Sequence, residues 1–189
     1  DKAFYDHSGG GVTLSGGEPL LQADFCRELL TALHDAGVNT AVDTCLAVPE
    51  ANLRKVIGLT DTFLVDVKAI DSDLHRSLCG LPNERILQNL RLLDALHQRV
   101  EIRIPFVPGQ NAGEIGKIAD FLAALTCVVG VRVLPALLGR AAEGVVGVGL
   151  VEPVVFIEHA HALGLDGGDG VEQVPHDLEM VVHLAAAAH

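Results

Sequence analysis

The sequence predicts an α/β fold built on a parallel sheet, and three observations lead there. Short β-branched apolar runs alternate with segments of helical period. The runs are nearly continuously apolar, as strands covered by helices are. Polar residues then collect where the runs end: positions 15 to 18, Asp43 with Thr44, positions 66 to 68, and Arg103. In parallel α/β architectures the carboxyl ends of the strands form the working face, whether the sheet is open or closed into a barrel. Several strands each giving a polar residue to one face is a catalytic pattern rather than a packing one.

Taken in order, GVTL at 11 to 14 is the first strand, entering SGGEP. Positions 22 to 37 follow with Phe25, Leu29, Leu30 and Leu33 near helical period, and Gly37 suits the C-terminal cap. NTAVD is the second strand, 50 to 59 a helix, TFLVDV the third strand, and 72 to 78 and 83 to 97 two helical stretches. VEIRIPF is the fourth strand, 112 to 125 a helix and VVGVRVLP the fifth strand. After Pro135 glycine and valine dominate and no period is clear, so residues 1–135 are expected to form the α/β unit and 136–189 a divergent tail. The closing VPHDLEMVVHLAAAAH suits either an amphipathic helix or a poorly ordered end.

Composition narrows the function. The 189 residues, 49% apolar, suffice for one domain with a substantial core. Thirteen bases against 25 acids leave a net charge of −12, which repels phosphate backbones and anionic membranes, so nucleic-acid and membrane partners are disfavoured. No apolar stretch approaches the roughly 18 residues of a membrane span, because Arg132, Arg140 and Glu152 interrupt the one candidate. The start, DKAFYDHSGG, has neither an initiator Met nor a signal pattern, so the chain is expected to be a piece of something longer. Cys26, Cys45, Cys79 and Cys127 lie too far apart for a local metal knuckle, which suits four reduced thiols in a cytoplasmic protein.

GGGVTLSGGEPLL carries the strongest local signal. A strand running into Ser15-Gly16-Gly17-Glu18-Pro19 exposes main-chain groups that no side chain covers, so a small polar ligand can lie against them. A tight turn is the alternative use of the glycines. No Lys-Ser or Lys-Thr follows, and Glu18 would repel phosphate, so this is no phosphate loop. VDT at 42 to 44 and VDVK at 65 to 68 each end an apolar strand in an acid that needs a cation, a metal or hydrogen-bond donors. Singly, each suits a structural ion pair, with Thr44 as a helix cap. Together with Lys68 and Arg103 they suit a zwitterionic ligand, acids meeting an amino group and bases a carboxylate. His159 and His161 would share a face on a strand, and His176 and His183 on a helix, but no carboxylate or cysteine completes a zinc-like spacing around them.

The order GGGVTLSGGEPLLQ, VDT, LVDVKAIDSDLH, IRIPFVPG resembles the glycyl-radical-enzyme activating enzymes of the radical S-adenosylmethionine superfamily, those of pyruvate formate-lyase among them. The resemblance covers residues 4 to 135. It implies a partial (β/α) barrel of the radical SAM type, lacking its first strand and cluster loop. It implies S-adenosylmethionine and a [4Fe-4S] cluster as cofactors, the cluster in the full-length protein only. The implied reaction is reductive cleavage of S-adenosylmethionine and hydrogen abstraction from a glycine of a partner glycyl radical enzyme, with flavodoxin or ferredoxin as electron donor.

On the same terms Gly17 and Glu18 would meet the amino end of the cofactor, and Asp66, Val67 and Lys68 would make strand-end contacts to it. Asp43, Thr44 and Asp66 would hold a monovalent cation beside its carboxylate, with Arg103 basic on the same face. The family's CxxxCxxC is absent, and three cluster thiolates must converge, which the four cysteines in separate predicted elements do not. The family's DTxG stands here as Asp43-Thr44-Cys45-Leu46, which puts that turn in question, and its LLPYH as Val133-Leu134-Pro135-Ala136-Leu137. Two other readings remain open: a non-catalytic cofactor- or partner-binding remnant, and an ordinary (β/α) enzyme using Asp66 and Lys68 as an acid-base pair.

Overall fold

The computed structural model describes residues 10–135 and 180–185. Five strands, β1 (Gly11–Gly16), β2 (Asn39–Thr44), β3 (Thr62–Asp66), β4 (Val100–Phe106) and β5 (Val128–Pro135), lie in sequential order and pair in parallel. Crossovers of one hand between neighbours taken in order put every connecting helix on the same side, as in the wall of a (β/α) barrel. The connections carry α1 (Ala23–Asp35), α2 (Glu50–Arg54), α3 (Ser72–Cys79), α4 (Glu84–Ala95) and α5 (Ile115–Leu122).

Burial alternates along the strands. Val12, Leu14, Val42, Phe63, Val65, Val100, Ile102 and Ile104 pack with Cys26 and Leu30 of α1, Leu53 of α2, Ile86, Leu90 and Leu93 of α4 and Ile118 and Leu122 of α5 in one apolar core. Each fully buried side chain of this size contributes on the order of 1.5–3 kcal/mol. The residues between them face the other way, and there the strand ends are polar. The sequence suggests nearly continuously apolar strands; among the described residues the sheet has one helix-covered face and one open face that no described helix covers.

Most element ends follow local chemistry. Gly37, at φ 66, closes α1 through bonds from its N–H to the His34 carbonyl (2.9 Å) and from the Val38 N–H to that of Leu33 (3.0 Å), as a C-terminal glycine does. The helix expected over 50 to 59 keeps only α2, and the chain turns on through Gly58 at φ 81. The helix expected over 112 to 125 is a 3-10 turn, Ala112–Glu114, followed by α5.

The largest departure is at the end of the chain. Met180–Ala185, for which the sequence leaves an amphipathic helix or a poorly ordered end open, forms strand β6, antiparallel to β1 over six residue pairs from Gly11↔Ala185 to Gly16↔Met180. An edge strand presents unpaired N–H and C=O groups, and a short run rich in Val and Leu satisfies them as a strand. The histidines at 159, 161 and 176, Leu137 and the rest of the segment from 136 to 179 lie outside the described residues. No helix among the described residues is long and apolar enough to cross a membrane.

Candidate functional site

The site is built where β1 to β4 end. Gly16 sits at φ 135, a conformation closed to residues with a Cβ, so this glycine is needed by the turn itself. Gly17 differs: it is exposed, and a Cβ placed there would meet nothing within 4 Å, so its main chain borders open space. The tight-turn use weighed from the sequence thus belongs to Gly16.

Glu18 is turned inward. It caps the 3-10 turn Pro19–Gln22, with Oε1 accepting from the Leu20 N–H at 3.1 Å. The carboxylate then reaches the exit of β2, accepting from Thr44 Oγ1 (2.8 and 2.9 Å), the Cys45 N–H (2.9 Å) and Cys45 Sγ (3.1 Å). Burial, reinforced by the Glu18 charge, pushes the Cys45 thiol up to about 12, so it stays protonated at neutral pH and donates to the carboxylate.

Asp43, one residue before Thr44, points the other way, because successive strand side chains alternate. On the open face Arg103 spans two acids. Its guanidinium donates to both Asp43 oxygens, with Nη1 3.0 Å from Oδ2 and Nη2 on Oδ1, and its Nε and Nη2 each lie 2.9 Å from Asp66 Oδ1. Ser15 Oγ donates to Asp43 Oδ2 at 3.2 Å, and Lys68 Nζ stands 3.6 Å from Asp66 Oδ2. Register explains the meeting: Asp66 is paired with Arg103 across β3 and β4, and Asp43 lies one strand further on. Burial pulls the guanidinium pKa down, but Asp66 and Asp43 together outweigh it and raise it, so Arg103 is a fixed cation. One layer below, Arg132 Nε sits 2.5 Å from Glu101 Oε1. Among the described residues, Asp43, Asp66 and Glu101 are thus met by Lys68, Arg103 and Arg132, three acids against three bases in a chain of net charge −12.

Of the residues expected at the site, Asp43, Asp66, Lys68 and Arg103 come together. Thr44 instead joins Glu18, and its Oγ1 also accepts from the Leu46 N–H at 2.9 Å. Val67 is 2% exposed with its side chain in the core, and its N–H donates to the Arg103 carbonyl at 2.9 Å. The cation expected among Asp43, Thr44 and Asp66 meets a different arrangement: the two aspartates already share a guanidinium, and Thr44 faces away from them. Among the described residues no three His, Cys, Asp or Glu side chains are grouped to hold a metal ion.

Sequence reasoning missed the side chains that hold the loops beneath the site. Asn52 donates to the Leu20 carbonyl (2.9 Å), and Asn89 to those of Leu46 (2.9 Å) and Val48 (2.8 Å). Asn83 donates to Ala69 (2.8 Å) and Ile70 (2.9 Å), and Asn111 to Lys68 (3.0 Å) and Pro105 (2.7 Å). Glu114, 3% exposed, accepts from the N–H groups of Ile70 (2.8 Å) and Asp71 (2.9 Å). Burial pushes its carboxyl up, but Lys117 and those N–H groups outweigh it, so it titrates below the usual carboxylate range. The VPG turn was the available hint for Asn111, since its loop begins there.

Two cofactors were expected, and the residues fit one. The open main chain at Gly17 and the balanced acids and bases suit S-adenosylmethionine, which carries an amino group, a carboxylate and a sulfonium charge. A [4Fe-4S] cluster is not accommodated: the four thiols sit in α1, after β2, at the end of α3 and before β5, and those of Cys45 and Cys127 are pushed up to about 12, burial being the larger cause in each.

Residues 2–122 match the model of the radical SAM superfamily. The benzylsuccinate synthase activating enzyme of Thauera aromatica is 36% identical over 194 residues, covering 99% of this chain and 53% of that protein. The pyruvate formate-lyase-activating enzyme of Staphylococcus aureus is 41% identical over 142 residues, 71% of this chain and 57% of the relative. The chain therefore spans about half the length of these curated relatives. A crystal structure of a domain of pyruvate-formate lyase-activating enzyme from Bacteroides vulgatus superposes with a TM-score of 0.64 at 34% identity, covering 71% of this chain and 86% of that one. The parallel sheet and the family match establish that the chain belongs to the radical SAM superfamily, and its relatives named above are activating enzymes.

Proposed function

We propose that the open face is the S-adenosylmethionine clamp of a glycyl-radical-enzyme activating enzyme, and that binding is the part of the activity this chain's own residues support. The observation that carries the reading is the charge-balanced cluster of Asp43, Arg103, Asp66 and Lys68 beside the uncovered main chain of Gly17. Asp43 and Asp66 offer acceptors to the ligand's amino and sulfonium charges. Lys68, which Asp66 holds loosely at 3.6 Å, is free to turn its ammonium to the ligand's carboxylate. Arg103 bridges the two acids and fixes where they stand. Bound there, S-adenosylmethionine supplies the sulfonium whose cleavage is the chemistry the family resemblance implies.

In the whole protein the proposed reaction is hydrogen abstraction from a glycine of a formate-lyase-like glycyl radical enzyme. The proposal includes a flavodoxin or ferredoxin as electron donor and a cytoplasmic setting. A second reading, a cofactor- or partner-binding remnant without electron transfer, draws support from the four separated thiols, none placed for a cluster.

Titration calorimetry of the 189-residue chain with S-adenosylmethionine tests the clamp. Charge-assisted bonds are largely offset by desolvation and lost freedom, so the expected affinity is millimolar, on the order of 4 kcal/mol. Asp66→Ala and Lys68→Ala should each weaken it while the far-ultraviolet circular dichroism stays unchanged. Micromolar binding untouched by either substitution, or no saturable binding at all, overturns the reading.

A further inference from the structure

The ladder between β3 and β4 ends for a chemical reason. Val67 donates its N–H to the Arg103 carbonyl at 2.9 Å, and in a parallel ladder the next rung would run from the N–H of residue 105 to the Val67 carbonyl. Residue 105 is proline, which has no N–H, so that rung cannot form. The chain must join the two exits in another way immediately beyond Asp66 and Arg103, the residues that carry the cluster.

Asn111 makes that join. The segment leaving β4 turns back at once: Pro108 and Gly109, the latter at φ 76, occupy the central positions of a turn closed by the Gln110 N–H on the Val107 carbonyl at 3.1 Å. The next residue, Asn111, is 2% exposed. Its Oδ1 accepts from the Val107 N–H at 2.8 Å, while Nδ2 donates to the Pro105 carbonyl at 2.7 Å and the Lys68 carbonyl at 3.0 Å. One side-chain amide therefore ties the end of β4 to the main chain of Lys68. Glu114 holds the same segment two residues further on, at the Ile70 and Asp71 N–H groups, and Asn83 holds it at the Ala69 and Ile70 carbonyls.

We propose that Asn111 is a positioning residue for Lys68: by bridging the exits of β3 and β4 where Pro105 breaks the ladder, it sets where the Lys68 ammonium stands relative to Asp66 and the ligand. The inference rests on the reading of Lys68 as a ligand contact. Asn111 itself, buried under the loop, acts through the backbone of Lys68. Its bonds to two carbonyls need both hydrogens of the amide, so an isosteric carboxylate at this position loses the bridge while keeping the acceptor for Val107.

The test is a double-mutant cycle on S-adenosylmethionine affinity, followed by chemical-shift titration of the full chain with Asn111→Asp, Lys68→Ala and the pair together. Asn111→Ala runs in parallel in case the carboxylate prevents folding. Expected dissociation constants rise about fivefold for Asn111→Asp and about tenfold for Lys68→Ala, and about tenfold rather than fiftyfold for the pair, because contacting residues that act through one group are not additive. A general loosening of the fold would leave the Asn111 effect intact in the Lys68→Ala background. If Lys68→Ala weakens binding and the Asn111 penalty persists undiminished beside it, or if neither Asn111 variant changes affinity, the positioning role is wrong and the clamp stands. If Lys68→Ala leaves affinity unchanged, the clamp reading fails and the inference falls with it.

Discussion

On β3, Phe63 and Val65 are fully buried beneath the helices, while Leu64 between them and Asp66 after them belong to the open face; β2 and β4 alternate in the same way. The covered face is apolar through its middle, with buried threonines, Thr40 and Thr44, at the two ends of β2. The open face turns polar toward its carboxyl end and balances its charges in pairs. Packing free energy therefore gathers on one side of a single layer of backbone and the charged groups of the proposed clamp on the other, separated by one residue of register. Perturbing either side should leave the other's readout in place.

Phe63→Ala probes the covered face with the largest expected effect. The ring is wholly buried in the middle of the sheet, so its loss should cost about 3–5 kcal/mol in a denaturant titration through lost transfer energy and a cavity. S-adenosylmethionine affinity of the protein that remains folded should stay within about twofold, since sites without shared partners are nearly independent. A tenfold change in affinity would mean that the faces are mechanically coupled.

Arg103 probes the open face. Its side chain is 15% exposed, and Asp43 and Asp66 are 22% and 21% exposed, so the network lies between a surface pair and a buried one. Arg103→Ala leaves two facing carboxylates with Lys68 as their near cation, and about 2–3 kcal/mol of destabilisation is expected, below the full cost of breaking a buried pair. Arg103→Lys keeps the charge but cannot bridge both acids in a planar fork, so about half that loss should remain. Chemical denaturation of the two variants measures this. A cost for Arg103→Ala under about 0.5 kcal/mol would reduce the cluster to a screened surface contact.

Parity also explains what was legible in the sequence. The five parallel strands follow from β-branched runs alternating with helical period, and the acids at 43 and 66 and the bases at 68 and 103 announce themselves as charges closing apolar strands. Asp43 and Thr44 were treated as one unit, although a period of two sends them to opposite faces; strict alternation would have assigned Thr44 to Glu18. The asparagines were hidden because an amide that satisfies a distant carbonyl leaves no periodic trace. Asn89 and its acceptor on Leu46 are 43 residues apart, and Asn111 and Lys68 likewise 43. Met180–Ala185 is not legible for a different reason: a short apolar run suits helix or strand, and only the neighbouring edge of β1 decides.

The smallest expected effect sharpens the comparison at the one place where backbone conformation and packing conflict on the covered side. Leu46 follows the Thr44–Cys45 exit of β2, is fully buried in the core, and yet adopts φ 59. That left-handed conformation costs a residue with a Cβ roughly 1–2 kcal/mol, and only glycine takes it freely. The turn is held regardless, by the Leu46 N–H on Thr44 Oγ1 at 2.9 Å and by Asn89 Nδ2 on the Leu46 carbonyl at 2.9 Å. The side chain's burial thus offsets the strain. Both Leu46→Ala and Leu46→Gly should destabilise, since each empties the same part of the core. Their order should be the reverse of the usual one. In ordinary backbone glycine is the weaker residue, because it gives the unfolded chain more freedom to lose, whereas at positive φ an alanine keeps the strain that glycine removes. Leu46→Gly is therefore expected to be about 1 kcal/mol more stable than Leu46→Ala by denaturant midpoint, once their different unfolded-state entropies are included. If alanine proves the more stable, the exit of β2 relaxes out of its left-handed turn when the leucine is removed, and the packing of Leu46, rather than the bonds from Thr44 and Asn89, is what imposes that turn.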